Sequence, residues 1–426
     1  MKHITLMGRH TPRCTTAASM RQSALERQDG ASRHGGQAEC SPQQNMQNMI
    51  IGYDAKRIVC NRTGLGSYAR TLINDLSEVI TPDINLHLYA PDKGDSALRS
   101  QVRESASVRF VYPRRNLSGL QKAWWRMHSM VDDLRADGVK LYHGLSGELP
   151  IGIKKAGIKT VVTIHDIIFM RHPEWYNWPD TKIYAWKFRK TCAEADRIIA
   201  ISECTKRDIM LYGGVNPEKI DVIYQSCGSR YKMHEGEKKM QEVHTSYMLP
   251  ERYIVNVGTI EERKNVLLAV KALRMLPEDI SLVIVGKATS YTEKVKAYIR
   301  ENALESRVKI LHNVPNEDLP AIYQMAEACV YPSRYEGFGV PVIEAIQSGL
   351  PVVACTGSCL EEAGGNGTIY VDPDDVYAMA EAIKQVVKGA PGREERIAAS
   401  RQYITRFEGN NVAQQVMNVY RDVLGI

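Results

Sequence analysis

Two carboxylates, Glu336 and Glu344, flank seven residues in the stretch SRYEGFGVPVIEAIQSGLPVV. An ionised carboxylate only accepts hydrogen bonds, so its natural small-molecule partners are paired hydroxyls, such as a ribose diol or the hydroxyls of a hexose. Between the two lie Gly337, Phe338, Gly339 and Val340, and Pro341 suits the first turn of a helix. Amides at a helix start hold phosphate, and glycine lets the main chain approach a ligand closely. Hydroxyls flanking a diphosphate describe a nucleotide sugar. The blander account has Glu344 complementing the helix dipole and Glu336 in a solvated turn. Two carboxylates and a glycine turn in one stretch favour the ligand.

Further groups stand where chemistry is expected. His165 and Asp166 close the apolar run TVVTIHD, so they fall at the carboxyl end of a strand. Gly64 and Gly66 in NRTGLGSYAR, with Ala69, have the spacing of a dinucleotide fingerprint. No strand leads directly into them, however, and no acid ends the next strand about 20 residues on, as that fingerprint requires. The acids Asp372 and Asp374 in VDPDDV are placed at a helix start, where they cap; no essential metal is expected. Trp124, Trp125, Trp175 and Trp178 are candidates to stack on an acceptor sugar, with packing between helices the alternative for the first two.

Positioning such groups needs a framework, and the chain supplies one twice. Apolar strand-like runs such as MIIGYD, INLHLYA, KTVVTIHD and RIIAIS alternate with helical patterns such as GSYARTLINDLSEVI, which implies an α/β fold with a parallel, doubly wound sheet. A polar interval, SCGSRYKMHEGEKKMQEVHTSYMLP, reads as a linker. The rhythm then restarts with RYIVNVG, SLVIVG, RVKILH, CVYPS and PVVACT. The expected organisation is a leader over 1–48, a Rossmann-like domain over 49–228, a linker over 229–249, a second Rossmann-like domain over 250–405 and a terminal helix over 406–426. Ligands of such sheets sit beyond the carboxyl ends of the strands, here in a cleft between two domains. The leader is Arg-, Ser- and Gln-rich without a period of 2 or 3.6 and reads as disordered, with the native start at Met46 or Met49; a transit peptide is the competing account.

Composition narrows the classes. With 426 residues, 44% hydrophobic and 24% charged, the chain is long and apolar enough for two or three globular cores. A formal charge of +6 suits anionic small molecules or a membrane surface but falls short of a nucleic-acid footprint. Nine scattered cysteines fit reduced thiols in a cytoplasmic setting, and no apolar run approaches the roughly 18 residues of a membrane span.

The stretch PSRYEGFGVPVIEAIQSGLPVVA resembles the signature of the group 1 glycosyltransferases, family 4 of the retaining enzymes, in which two glutamates flank a Gly-Phe-Gly turn. VGTIEERKN and HNVPNEDLPAIYQMAEACVYPS are similar to other blocks of that family, and the likeness covers most of residues 50–405. The resemblance implies a GT-B fold, two Rossmann-like domains facing across a cleft, with a nucleotide sugar in the second and the last helix crossing back to the first. It implies that Glu344 binds the ribose hydroxyls, that Glu336 faces the donor hexose, and that Gly337, Phe338, Gly339 and Val340 contact sugar and phosphates. By the same likeness Val314 meets the base, Arg263 and Lys264 stand beside the diphosphate, and Gly64 and Gly66 form a loop beneath it. His165 matches a histidine near donor and acceptor, while Asp166 orients its loop.

The activity so implied is transfer of a hexose from a nucleotide-diphosphate sugar to a saccharide or lipid-linked acceptor, with retention and without a cofactor or metal. His165, Glu336, Lys264 and Arg263 are its catalytic candidates. HDIIFMRHPEWY is similar to a subgroup rich in mannosyltransferases, which favours GDP-mannose as donor. A nucleotide-sugar epimerase of the same fold and a non-catalytic sugar-nucleotide-binding relative are the alternatives. A lipid-linked acceptor implies peripheral contact with the inner membrane face, for which Arg114, Arg115, Lys122 and Arg126 offer a basic helix; no nucleic-acid partner is expected.

Overall fold

The computed structural model describes residues 49–426. The expected leader over 1–48, with the alternative start at Met46, lies outside the described residues. Among the described residues thirteen short strands form two sheets. The first has β1 (Met49–Asp54), β2 (Ile84–Tyr89), β3 (Val108–Val111), β4 (Leu141–Gly144), β5 (Lys159–Ile164), β6 (Arg197–Ala200) and β7 (Ile220–Val222), in the order β3-β2-β1-β4-β5-β6-β7. The second has β8 (Tyr253–Val257), β9 (Ser281–Val285), β10 (Val308–Leu311), β11 (Ala328–Tyr331), β12 (Val352–Cys355) and β13 (Ile369–Val371), in the order β10-β9-β8-β11-β12-β13. Strand pairing is parallel throughout. Sheets covered on both faces demand strands apolar on both faces, and β9 and β11 are buried at every position. Both sheets are doubly wound and Rossmann-like.

The terminal helix Gly409–Leu424 belongs to the first sheet's core. Val412, Ala413, Val416, Met417 and Tyr420 recur at helical spacing and are buried with Ile51, Ile73 and Leu141. Tyr420 also bonds the buried His143 of β4, hydroxyl to Nδ1, at 2.6 Å.

Three segments differ from the expectations. The interval 229–249 is no open connector: it holds helix Glu237–Tyr247, whose Val243, with Leu249 beyond it, is buried in the second domain's core. With Val243 its one fully buried residue, that helix has no apolar period to read. Helix Trp178–Glu194 was not expected either, because large apolar residues lie on its outer side as well as its inner one. Finally, the helical pattern around Trp124 is broken by a π-helical turn over Trp125–Ser129, which turns Trp125 inward to donate from Nε1 to Asp133 at 2.7 Å.

Candidate active site

In the second sheet the strand order reverses between β8 and β11, which opens a crevice at their carboxyl ends. The loop after β8 carries GTIEERKN and the loop after β11 carries PSRYEGFG. In the first, a 3-10 turn over Glu262–Lys264 ends at Asn265, whose φ of 55° lies in the left-handed region that asparagine tolerates. Asn265 Nδ2 donates to the Pro373 carbonyl at 2.8 Å, pinning the turn. Arg334 N donates to the Arg263 carbonyl at 2.9 Å and joins the two loops.

That join brings three of the expected residues together. Lys264 Nζ lies 2.5 Å from Glu336 Oε1 and Arg263 Nη1 lies 3.0 Å from Oε2. Ser333 Oγ donates to Oε1 at 2.6 Å, and the Tyr331 hydroxyl donates to it at 3.1 Å while accepting from Lys264 Nζ at 2.8 Å. Arg263 is held further by Glu261 at 2.7 Å and by the Tyr335 carbonyl. Burial alone would push the Glu336 carboxyl up, but Lys264 and Arg263, with the Lys264 and Ser333 hydrogen bonds, outweigh it and hold it at about 2. Glu336 is therefore ionised at any physiological pH.

Glu344 stands outside this set. It is the fifth residue of helix Val340–Gln347, and the Tyr323 hydroxyl donates to its Oε2 at 3.3 Å. Burial pushes its carboxyl up, against hydrogen bonds with Tyr231 and Tyr323 and the charge of Arg230. The two glutamates thus occupy opposite electrostatic surroundings, one fixed as an anion and one biased toward holding a proton.

The turn between them meets the first sheet. A methyl group at Gly337 would lie 2.1 Å from the His165 carbonyl oxygen, so only glycine fits there. Ser202 Oγ donates to the Gly337 carbonyl at 2.6 Å, and Thr205 Oγ1 reaches it at 3.2 Å. Beyond the approach to a ligand expected of it, this glycine serves contact between the domains. Gly339, at φ 116°, starts the helix in a conformation that side chains resist. For Phe338 the expectation is corrected. Its ring packs inward, 5.3 Å from Tyr224 and 5.2 Å from Phe407, which leaves only its backbone for a ligand. Val340 and Val314, the latter in the turn beyond β10, are half-buried against the same core.

His165 follows β5. Its Nε2 lies 2.9 Å from the Leu145 carbonyl and its Nδ1 2.8 Å from Gln225 Nε2. A carbonyl only accepts and this amide nitrogen only donates, so the proton sits on Nε2 and both ring nitrogens are taken. Burial lowers the pKa of the ring to about 4, which keeps it neutral. Tyr68 packs edge-on against it at 4.7 Å from helix Gly64–Val79, the helix that the glycine loop opens. Gly66 is crowded there by the Asn61 carbonyl, whereas Gly64 has open space around it. Asp166 Oδ1 accepts from Ile168 N at 3.2 Å and so shapes its own loop.

Several residues that hold this arrangement were not read from the sequence. Glu362, beyond β12, accepts from the backbone amides of Glu203 at 2.7 Å and Cys204 at 2.9 Å, capping a first-domain helix from the second domain. The Tyr335 hydroxyl donates to Asp208 at 2.6 Å, and Arg171 pairs with the same carboxylate at 2.8 Å. Only Tyr331 and Ser333 left a signal, as polar residues at the end of an apolar strand. In VDPDDV the capping residue is Asp375, which accepts from Ala378 N at 2.8 Å, while Asp374 pairs with Arg334 at 2.5 Å. Among the tryptophans, Trp125 is buried, Trp175 stacks on His172 at 4.3 Å, and Trp124 and Trp178 are exposed. Two of the four surface cations are neutralised internally: Arg126 binds Asp54 at 2.5 Å and also Glu148, and Lys122 binds Asp92 at 2.7 Å.

Two facing Rossmann-like domains with an anion, two cations and a glycine turn at the switch point define a GT-B glycosyltransferase. The family model for Glycosyl transferases group 1 matches residues 242–403, and that for Glycosyltransferase Family 4 matches residues 62–226. O-antigen chain mannosyltransferase RfbU of Salmonella typhimurium is 30% identical over 261 residues, 60% of this chain and 68% of that protein. O-antigen chain mannosyltransferase B of Escherichia coli is 26% identical over 328 residues, 76% of this chain and 81% of that one. The crystal structure of Anabaena Alr3699/HepE in complex with UDP shares the fold, with a TM-score of 0.67 at 16% identity over 88% of this chain and 100% of that one. The chain belongs to the group 1 glycosyltransferases.

Proposed function

We propose that this enzyme transfers mannose from GDP-mannose to a growing or lipid-linked polysaccharide, with retention at the anomeric carbon and without a metal. The observation that carries the reading is Glu336 held as an anion between Lys264 and Arg263 at the crevice of the second sheet. The kinship with mannosyltransferases of O-antigen chains supports the hexose and the acceptor class.

In this reading Glu344 takes the ribose diol, Val314 lies by the base, and the amides of the Gly337 to Val340 turn face the diphosphate. Lys264 has three protons and gives two to Glu336 and Tyr331, which leaves one for a phosphate oxygen. A double displacement would need Glu336 as nucleophile. Both its oxygens are engaged by cations or hydroxyls, so attack through either one would first have to displace the partners of that oxygen. The same-face route fits better. The bond from the anomeric carbon to the phosphate oxygen breaks, the acceptor hydroxyl oxygen bonds to that carbon from the same side, and its proton passes to the departing phosphate. Lys264 and Arg263 stabilise the charge that develops, the task a divalent metal performs elsewhere. His165, its nitrogens engaged, positions the facing loop instead of moving a proton.

The test is to incubate the chain with GDP-mannose, UDP-glucose, UDP-galactose and ADP-glucose, a lipid-linked saccharide acceptor and a chelator. Release of GDP with an α-linked mannosyl product supports the proposal. Turnover of another donor only, a β-linked product or full inhibition by the chelator overturns the corresponding part.

No helix among the described residues is long and apolar enough to cross a membrane. In this reading a lipid-linked acceptor is met by peripheral contact at the cytoplasmic face.

A further inference from the structure

The first sheet has a switch point of its own. Its strand order reverses between β1 and β4, which opens a second crevice at their carboxyl ends. The rim is made by the short helix Lys56–Cys60 after β1, by Leu145 and Ser146 after β4, and by His165 after β5. These pieces are held in place. Arg70, 3% exposed, donates from Nη1 to the Ile58 and Asn61 carbonyls at 3.0 Å each, which fixes the helix and the turn that follows it. A methyl group at Gly66 would lie 2.9 Å from the Arg57 carbonyl, so the helix whose Tyr68 packs on His165 seats against Lys56–Cys60 as well.

Two polar groups of this rim have no partner. Arg57 Nε is shut off from solvent and donates to nothing, and Ser146 Oγ is in the same state. Among the described residues Arg57 also forms no ion pair. The acids near the two in sequence are already engaged: Asp54 by Arg126 at 2.5 Å, and Glu148 by Arg126 and by Lys187 at 3.2 Å. Neither is left to neutralise Arg57. At His165 burial lowers the pKa and the charge of Arg57 lowers it further; at Asp166, where burial raises the pKa, the charges felt are those of Arg263, Glu336 and Lys264. Arg57 thus stands beside His165 apart from the cations that hold Glu336.

We propose that Arg57 and Ser146 form an acceptor subsite for an oxyanion, a carboxylate or phosphate carried by the saccharide that receives the hexose. A cation and a hydroxyl shielded from water without partners cost free energy, and an oxyanion entering the crevice removes that cost. The guanidinium offers paired N–H groups matching two oxygens of such an anion, and the serine adds a third donor. The diphosphate of the donor fits less well, because Lys264 and Arg263 already serve it in the proposed reading. A neutral sugar fits less well too, since its hydroxyls leave the cation without a counter-charge. The inference rests on the transferase reading and deepens it by naming the charge of the acceptor.

The test compares three soluble acceptors: a neutral oligosaccharide, the same one carrying a uronic acid, and the same one carrying a phosphate monoester. With the wild-type chain, KM is expected to be at least tenfold lower for one charged acceptor than for the neutral one, and which of the two it is tells carboxylate from phosphate. Arg57→Ala should raise the KM of that acceptor by about ten- to a hundredfold, with a much smaller change in kcat and a smaller loss with the neutral acceptor. Arg57→Lys should recover part of the preference, and Ser146→Ala should lose about threefold to tenfold. GDP affinity by calorimetry should hold in every variant, which also reports an intact fold. Equal KM for neutral and charged acceptors, or an equal effect of Arg57→Ala on all three, overturns the subsite. So does a loss of GDP affinity in Arg57→Ala and Arg57→Lys, which would put the cation on the donor diphosphate. Acceptor binding in the presence of GDP is measured alongside: preferred binding of a charged acceptor without turnover removes only the transferase reading, and turnover without preference removes only the subsite.

Discussion

Gly337 of the second domain rests against the carbonyl oxygen of His165 of the first, with no room for even a methyl group between them. The glycine turn that carries Glu336 and the strand end that carries His165 therefore fix each other's position. A substitution at either side displaces both domains' contributions to the cleft.

Gly337→Ala tests this most directly. The added methyl must push the His165 carbonyl away, and a misplacement of about 1 Å at a reacting centre costs about a hundredfold in rate. We expect kcat/KM to fall by about that factor while nucleotide binding, which the proposed reading assigns to the second domain, changes little. Steady-state kinetics with calorimetry on the same preparation checks both; a loss of nucleotide affinity equal to the loss of rate would contradict it.

Glu336→Gln removes the charge that Lys264 and Arg263 hold. Turnover is expected to fall by about a hundred- to a thousandfold, the usual effect of removing one preorganised electrostatic group, with donor affinity nearly preserved. Single-turnover kinetics separates the two, and near wild-type turnover would take Glu336 out of the mechanism.

The same carboxylate governs acid stability. Its pKa is about 2 in the fold against 4.5 for the free side chain, so the unfolded chain binds the extra proton between those values. Its stabilising contribution is complete above about pH 4.5 and is lost as the pH falls toward 2. Urea unfolding followed from pH 5 downward should show a shallower acid limb for Glu336→Gln than for the wild type.

Glu344 titrates in the opposite sense. Burial raises its pKa, so its carboxylate takes up a proton at a higher pH than an ordinary glutamate does. If it accepts from a ribose diol it must be ionised, and nucleoside diphosphate affinity should weaken as the pH is lowered through its titration. In Glu344→Gln that dependence should vanish, as calorimetry across the acid range would show.

Lys264→Ala removes a cation whose third proton, in the proposed reading, is left for the diphosphate. A charge-assisted hydrogen bond contributes about 1.5–3 kcal/mol, so GDP affinity should fall by about ten- to a hundredfold. Lys264→Arg should restore part of it.

Much of this was legible in the residues. Strands buried on both faces read as unbroken apolar runs, as in TVVTI and SLVIV, and the groups after them fall at the carboxyl ends where doubly wound sheets place ligands. Hence Glu336, Lys264 and His165 were found although 72 residues separate the first two and 171 the first and third. What stayed hidden depends on partners distant in sequence. The cap that Glu362 provides to Glu203 and Cys204 spans 158 residues or more, and no local pattern announces it. The inward turn of Phe338 was hidden likewise, because its partners Tyr224 and Phe407 lie 114 residues before it and 69 after it, outside the second domain on either side. Helix Trp178–Glu194 was masked by its outer tryptophans, which blur the apolar period that the buried Ala185 and Phe188 would give.

The chain passes between its domains twice, once after β7 and once before the helix Gly409–Leu424, and Lys232 and Glu408 bridge these crossings at 2.8 Å. Two crossings side by side tie the domains together at one point of the chain's path where a single connection would leave one tether. Both crossings are thus held at one place, on the side of the molecule where the first sheet's last strand ends, and the glycine turn keeps its seat against the first domain.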